Sequence, residues 1–434
     1  MKLGNSCLAA GKMAKKGSVT VLLVFLFSAL TTLTGAFISH ARSLALEAEV
    51  EALGRLWASS VLGGYDRLLL ERYGLFAYYG TPERVDAELA ELASYSLSGS
   101  RYVRMEAPEA SIFGYSIGSS EAFRRQMKET ALPTVIQTVQ GGNEWGAARP
   151  GAGAGDGASG YPAGPAQEMA EILSLTTRVS EREIVNERIL SDLPSGGQGS
   201  YGSDPERFRY RYGVLGIVET GTDAFLECCY ARSRFGTAVQ PRADSFLRYE
   251  GEYLLCGRPS DRENFYGTQA AILAVRGLLN TAYLETDPAM QEKLLEVAEL
   301  LAPGAGAPAM KEALTAAWAL AESLNDYQLL LHGKKVPFRK DEASWAVRIT
   351  AVINGTTGGY YDPGNEEGEE YGDYLFALLY LVGGETRLLR IMDLVEIDMK
   401  ANCYRDFRLA DYYTGLDFRI VVNGREHHFT DRYD

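Results

Sequence analysis

The chain has 434 residues, 43 Lys+Arg against 57 Asp+Glu, and 46% hydrophobic residues. That apolar fraction excludes a wholly disordered chain, and the net charge of −14 argues against general nucleic-acid binding, which needs a basic surface. The charge is unevenly divided: residues 1–17 carry Lys2, Lys12, Lys15 and Lys16 and no acid, which leaves −18 on the remainder.

In chain order, the first predicted element is a membrane helix. Residues 18–39 are 22 consecutive positions without a charge. As a helix they span about 33 Å, enough for a bilayer core. Lys12, Lys15 and Lys16 lie just before the run, so the positive-inside rule keeps residues 1–17 cytoplasmic and exports the rest. A cleaved signal peptide is the rival reading, but its apolar region is usually about 7–15 residues, shorter than this one. Leu46, Val50, Leu53, Trp57, Val61, Tyr65 and Leu68 then recur at helical spacing, which predicts that the membrane helix continues outside as an amphipathic helix packed on the protein's own domain.

Beyond it, residues 81–98 read as a helix, residues 102–118 as one or two strands, and residues 119–138 as a helix. Residues 141–165 are a Gly-rich linker. Residues 166–245 read as a helical insertion interrupted by a turn-rich break at 195–203. In the C-terminal part, 246–434, residues 246–256 read as a strand and 261–283, 287–301 and 307–331 as helices. The packing of the last two is expected to form the main core. Helices follow at 374–381 and 386–401, and Asn423-Gly424 between two alternating runs marks a β-hairpin. The expected class is α+β: a mostly helical ectodomain, residues 40–140 nearest the membrane, with a small antiparallel sheet joining 102–118, 246–256 and 418–430.

Lys15-Lys16-Gly17-Ser18 ahead of the apolar run resembles a type IV pilin-like leader, which makes Gly17 and Ser18 the candidate leader-peptidase site. The pilins and TadE-like pseudopilins of tight-adherence pili carry Glu at the fifth position after the cut; here that position is Leu22, so the chain is not read as a major pilin. The start GSVTVLLVF, the stretch YDRLLLERYGLF from Tyr65, YEGEYLLCG from Tyr249, and the segment from Ala317-Trp318 through Asp326 to Lys335-Val336-Pro337 resemble an uncharacterised Gram-positive membrane-protein family associated with tight-adherence (Flp-type) pilus loci. The resemblance implies a setting in an envelope or pilus-like complex and pilus-assembly or envelope proteins as partners. It implies no reaction.

Chemistry is sparse. Gly114-Tyr115-Ser116-Ile117-Gly118 fits the G-x-S-x-G elbow, but only His332, His427 and His428 lie downstream as bases, and a strand-end turn explains the pattern as well. Cys228, Cys229, Cys256 and Cys403 allow disulfides or buried thiols and show no C-x-x-C spacing. Asp362, Glu366, Glu367, Glu369, Glu370 and Asp373 form an acidic loop without the EF-hand spacing. His427 and His428 are adjacent on a predicted strand, so they point to opposite faces. The basic stretch at 332–340 reads as a solvated charge cluster. No phosphate-loop, dinucleotide or zinc-protease motif is present, so no metal or cofactor is expected. The leading expectation is a non-enzymatic, single-pass membrane protein with its C-terminal domain extracytoplasmic. The alternative is an exported hydrolase or binding protein acting on cell-wall polymers.

Overall fold

The computed structural model describes residues 13–97, 103–141, 193–195, 221–356, 360–364 and 367–433. Twelve helices occur among them: α1 (Met13–Leu62), α2 (Arg67–Tyr73), α3 (Pro82–Leu97), α4 (Ser120–Gly141), α5 (Gly221–Arg234), α6 (Glu250–Cys256), α7 (Asp261–Thr286), α8 (Pro288–Leu301), α9 (Ala307–Leu331), α10 (Ile349–Ile353), α11 (Tyr371–Leu379) and α12 (Gly384–Asn402). Five short strands accompany them: β1 (Tyr78–Tyr79), β2 (Glu109–Ser111), β3 (Tyr412–Tyr413), β4 (Gly415–Val422) and β5 (Arg425–Arg432). The α+β class and the antiparallel character of the small sheets agree with the sequence reading.

The chain divides into two compact units that do not follow chain order. The first comprises residues 1–63, 81–112 and 416–431; the second holds the rest. In the first unit, the C-terminal end of α1 buries Val50, Trp57 and Val61, which bears out the apolar stripe up to the helix end at Leu62. Gly63 and Gly64 break the helix, so Tyr65 and Leu68 belong to later structure. Helix α1 packs on α3, which buries Val85, Leu89, Ala93 and Leu97 at four-residue spacing, and Trp57 Nε1 donates to Ser96 Oγ at 3.1 Å. The three-stranded sheet has the order β2-β4-β5. Strand β4 turns Leu416, Phe418, Ile420 and Val422 inward, and Phe418 stacks on Phe429 with ring centroids 4.9 Å apart. Gly54 lies directly against the Phe429 ring, where no Cβ fits.

The Asn423-Gly424 turn forms as read. Both residues have positive φ, +53° and +79°, as a type I′ hairpin requires. Strand β2 pairs with β4 in the register Ala110 to Phe418, so 102–118 and 418–430 do meet. However, residues 102–118 contribute only three residues of strand there, and residues 113–115 form a 3-10 turn.

The second unit corrects two expectations. Residues 250–256 are helix α6, not a strand. Nearly every side chain from Tyr249 to Leu254 is buried, so neither a two-residue nor a 3.6-residue period is visible there. Gly257 at φ +63° then caps the helix. The main core is also not between α8 and α9. It surrounds α12, whose Leu388, Leu389, Ile391, Met392, Leu394, Val395, Ile397 and Met399 are all buried, together with α6, α11 and Tyr73. Helices α7, α8 and α9 enclose a second, smaller core around Leu294, Leu314 and Trp318. Of the expected insertion, residues 193–195 and 221–245, with α5, fall among the described residues; the Gly-rich linker lies outside them apart from Gly141, which ends α4.

Candidate functional site

The N-terminal half of α1 is the feature that most plainly awaits a partner. From Val19 to Ile38 its large apolar side chains are exposed, with Leu22 at 67% and Phe25 at 70%. The apolar stretch has mean hydropathy 2.3 and none of it is buried within the protein. Such a surface is unfavourable in water at about 25 cal/mol per Å² and favourable in hydrocarbon. Thr31, Thr32 and Thr34 do not interrupt it, because each hydroxyl donates to a carbonyl one turn back, at 2.5–2.9 Å. Among the described residues this is the one helix long and apolar enough to cross a membrane. Lys15, Lys16, Gly17 and Ser18 belong to its first turns, while Lys12 lies outside the described residues.

The other sequence candidates find structural explanations. Ser116 Oγ donates to the Ala410 carbonyl at 3.0 Å and accepts from Gly118 N at 3.1 Å. Its backbone runs beside β3, with Ile117 N donating to Tyr412 O and Thr414 N to Tyr115 O. The hydroxyl thus closes a turn. The cysteines at 228, 229, 256 and 403 are thiols. Burial pushes the Cys229 thiol up to about 11, which makes it unreactive near neutrality. No group of three metal-ligating side chains occurs among the described residues. In the acidic loop, Asp362 accepts from Gly364 N and pairs with Lys334 at 3.0 Å. His427 faces Glu51 of α1 at 3.7 Å, while His428 is exposed on the other side of β5. The basic stretch is a solvated cluster except at its end: His332, Lys334, Lys335 and Arg339 are exposed, whereas Lys340 is buried, and its Nζ lies 2.5 Å from Glu322 and 2.6 Å from Asp326.

That pair belongs to a set of buried charge networks that the sequence did not announce. Glu322 and Asp326 sit one turn apart on α9. Arg276 of α7 donates to Asp326, Asn280, Tyr374 Oη and the Pro337 and Phe338 carbonyls. Glu322 also accepts from Ala346 N and Val347 N. Two cations and two carboxylates therefore fasten the 334–347 loop to α7 and α9. In a second network, Asp398 Oδ2 receives Tyr73 Oη at 2.5 Å, Arg72 Nη2 at 2.7 Å and Arg242 Nη2 at 2.7 Å. In a third, Glu227 of α5 bridges Arg124 of α4 at 2.6 Å and Arg387 of α12 at 2.8 Å. Burial raises the Glu227 pKa even between the two guanidinium groups.

Around α6 the carboxylates are handled differently. Glu250 accepts from Gly236 N at 2.6 Å, and Glu252 accepts from Ala238 N at 2.9 Å and Tyr371 Oη at 2.8 Å. Burial pushes both up to about 7. Asp393, held by Ser195 N and Tyr253 Oη, is pushed up to about 6 for the same reason. In the three charge networks each carboxylate is occupied by protein donors, so the arrangement positions chain segments and presents no open base or ligand set. The segments that begin at Tyr65, Tyr249 and Ala317 carry much of this polar interior: Arg72, Tyr73, Glu250, Glu252, Glu322 and Asp326.

No curated protein and no solved structure matches the chain. Residues 166–424 match the model of a family described as a family of unknown function (DUF5702). That span takes in α5 to α12, the buried networks of α6, α7 and α9, and all of β4, and the chain belongs to this family.

Proposed function

We propose that the protein is a membrane-anchored, extracytoplasmic structural or accessory component of a pilus-like or cell-envelope complex. One observation carries the reading: α1 is a single helix whose stretch from Val19 to Ile38 exposes only apolar and small uncharged side chains while its last turns are built into a folded unit. A helix of that kind holds a domain close to a bilayer at fixed spacing. Lys12, Lys15 and Lys16 before the apolar run support a cytoplasmic N-terminus. The Gly17-Ser18 leader pattern and the resemblance to proteins of tight-adherence loci support the appendage or envelope setting, with pilus-assembly or envelope proteins as partners. The absorbed charges of the second unit support a scaffold role, since they stabilise position and, among the described residues, are held by protein donors.

The test is direct. Alkaline carbonate should leave the protein in the membrane pellet, and mass spectrometry of that fraction should find an intact N-terminus or one beginning at Ser18. In intact cells, a membrane-impermeant maleimide should label Asp431→Cys and spare Cys7. Release by carbonate, or an N-terminus at Arg42, refutes the anchor. Co-purification with pilus-assembly proteins tests the setting separately.

A further inference from the structure

Lys340, Arg276, Glu322 and Asp326 bring four charges to one buried point, with every side chain 1% exposed or less. Such charges are costly to desolvate, so their geometry decides what they do. Asp326 Oδ2 accepts from Arg276 Nε and from Asn280 Nδ2, both at 2.9 Å. Its Oδ1 accepts no hydrogen bond, although Lys340 Nζ lies 2.6 Å away. The Lys340 hydrogens go instead to Glu322 Oε1 and the Ser344 carbonyl, at 2.5 and 2.8 Å. A nitrogen thus stands beside a carboxyl group that it does not hydrogen-bond. Nucleophiles attack from such a position once the reacting atoms are about 3–3.5 Å apart. The Trp345 ring lies 6.0 Å from Nζ, and Trp318 packs edge-on against it, which helps to keep water out.

We propose that Lys340 and Asp326 condense to an amide, which closes a covalent ring between α9 and the loop that follows it, with Glu322 as the proton carrier. Glu322 takes one proton from the Lys340 ammonium and passes it to Asp326 Oδ1. The free amine then attacks Cγ: the Nζ–Cγ bond forms, and the carbonyl electron pair moves onto Oδ2. Arg276 and Asn280 already aim donors at that oxygen, as a developing oxyanion requires. A second proton passes from Nζ through Glu322 to Oδ1. The Cγ–Oδ1 bond breaks, water leaves and the carbonyl re-forms at Oδ2. Glu322 ends as it began. One ammonium and one carboxylate become one amide and one water, so atoms and charge balance.

The hydrogen bonds distinguish the two acids. Glu322 Oε1 accepts from Lys340 Nζ and Ala346 N, and its Oε2 accepts from Val347 N, so both oxygens are held. Asp326 keeps one oxygen anchored and the other open, as an acyl group with a leaving oxygen needs. Burial raises the Glu322 pKa, with Lys340 opposing and Asp326 adding to the rise, which suits a group that holds a proton between steps. The product leaves Arg276 opposite Glu322 and removes the other buried ion pair together with its desolvation cost. Nothing in this chemistry rests on α1 or on a membrane.

The test is mass spectrometry of the purified full chain, denatured and digested with trypsin. Residues 312–334 should be recovered joined to residues 340–348, uncut after Lys340 and one water lighter than the two peptides together. Fragmentation should place the join at Asp326. Lys340→Arg should release 312–334 unjoined and at full mass. Glu322→Gln should do the same with respect to the join, and its thermal melt shows whether the variant is folded. The parent's own digest needs no variant to fold, so the proposal stays falsifiable. Three outcomes overturn it: parent peptides recovered separately at full mass; a join at Glu322 instead of Asp326; or a folded Glu322→Gln joined as completely as the parent. Release of the protein by carbonate refutes the anchor and leaves the join untouched, so the two readings fail separately.

Discussion

Arg276 Nε donates to Asp326 Oδ2 at 2.9 Å, with neither side chain exposed. The bond joins α7 to α9 and, through the Pro337 and Phe338 carbonyls, ties the following loop to both. Removing one partner of a buried pair is far more costly than replacing both, because the survivor keeps its desolvation penalty. Asp326→Ala leaves Arg276 without a countercharge and Lys340 with Glu322 alone. It should lower stability by about 3–5 kcal/mol in urea unfolding. The double variant Arg276→Met, Asp326→Leu should cost less than the sum of the single changes. Additive losses would show that the pair is not coupled.

The same residues show where the sequence was legible. The long apolar N-terminal helix, the 46–61 stripe, the Asn423-Gly424 hairpin and the helices read at 261–283 and 307–331 follow from periodicity and turn chemistry, which act locally. The buried networks do not. By side-chain polarity alone, Glu322 and Asp326 of α9 would be solvated and Leu320 and Leu324 buried. The structure reverses them: both acids are buried and both leucines exposed. A one-turn spacing of two acids within an otherwise Ala- and Leu-rich helix, followed by Lys340, was the one available signal. It becomes interpretable only once the Arg276 partner is known. Residues 246–256 failed for a related reason, since an element buried on every side has no polar face to reveal its period.

Glu252 makes stability depend on pH in an unusual direction. Its Oε1 accepts two hydrogen bonds, its Oε2 meets no polar partner, and burial pushes it up to about 7 from an ordinary value of 4.5. The folded state therefore binds a proton that the unfolded state releases. The contribution favours folding fully below about pH 4.5 and is lost as pH rises through 7. Its size is on the order of 3 kcal/mol. Glu252→Gln keeps the Oε1 acceptor and cannot ionise. It should match the parent in denaturant midpoint at pH 5 and exceed it at pH 8. Equal midpoints at both pH values would place an ionised carboxylate at 252.

Gly54 and Phe429 define the packing of α1 in the first unit. No Cβ fits between helix and ring, so Gly54→Ala must displace Phe429 or the helix. Overpacking of this kind costs about 1–3 kcal/mol. Phe429→Ala alone should also destabilise, by leaving a cavity. Combined, the two changes should be less harmful than their sum, because the new methyl enters the vacated space. Thermal melts of the four proteins measure the coupling, and strict additivity would remove the steric explanation.

Ser116 decides between a turn and a nucleophile. Its hydroxyl donates to the Ala410 carbonyl and accepts from Gly118 N, closing the turn that the backbone bonds of Tyr115 and Ile117 hold beside β3. A hydroxyl engaged in this way is already directed at a carbonyl, and the described residues place no histidine against it to take its proton. Ser116→Ala should therefore cost about 1 kcal/mol of stability, as for a lost hydrogen bond with one buried acceptor left unpaired. Ser116→Thr, which keeps the hydroxyl, should recover part of it. If purified protein hydrolyses a cell-wall polymer and Ser116→Ala abolishes that activity without moving the melt, the hydroxyl is chemical and the scaffold reading of the second unit fails.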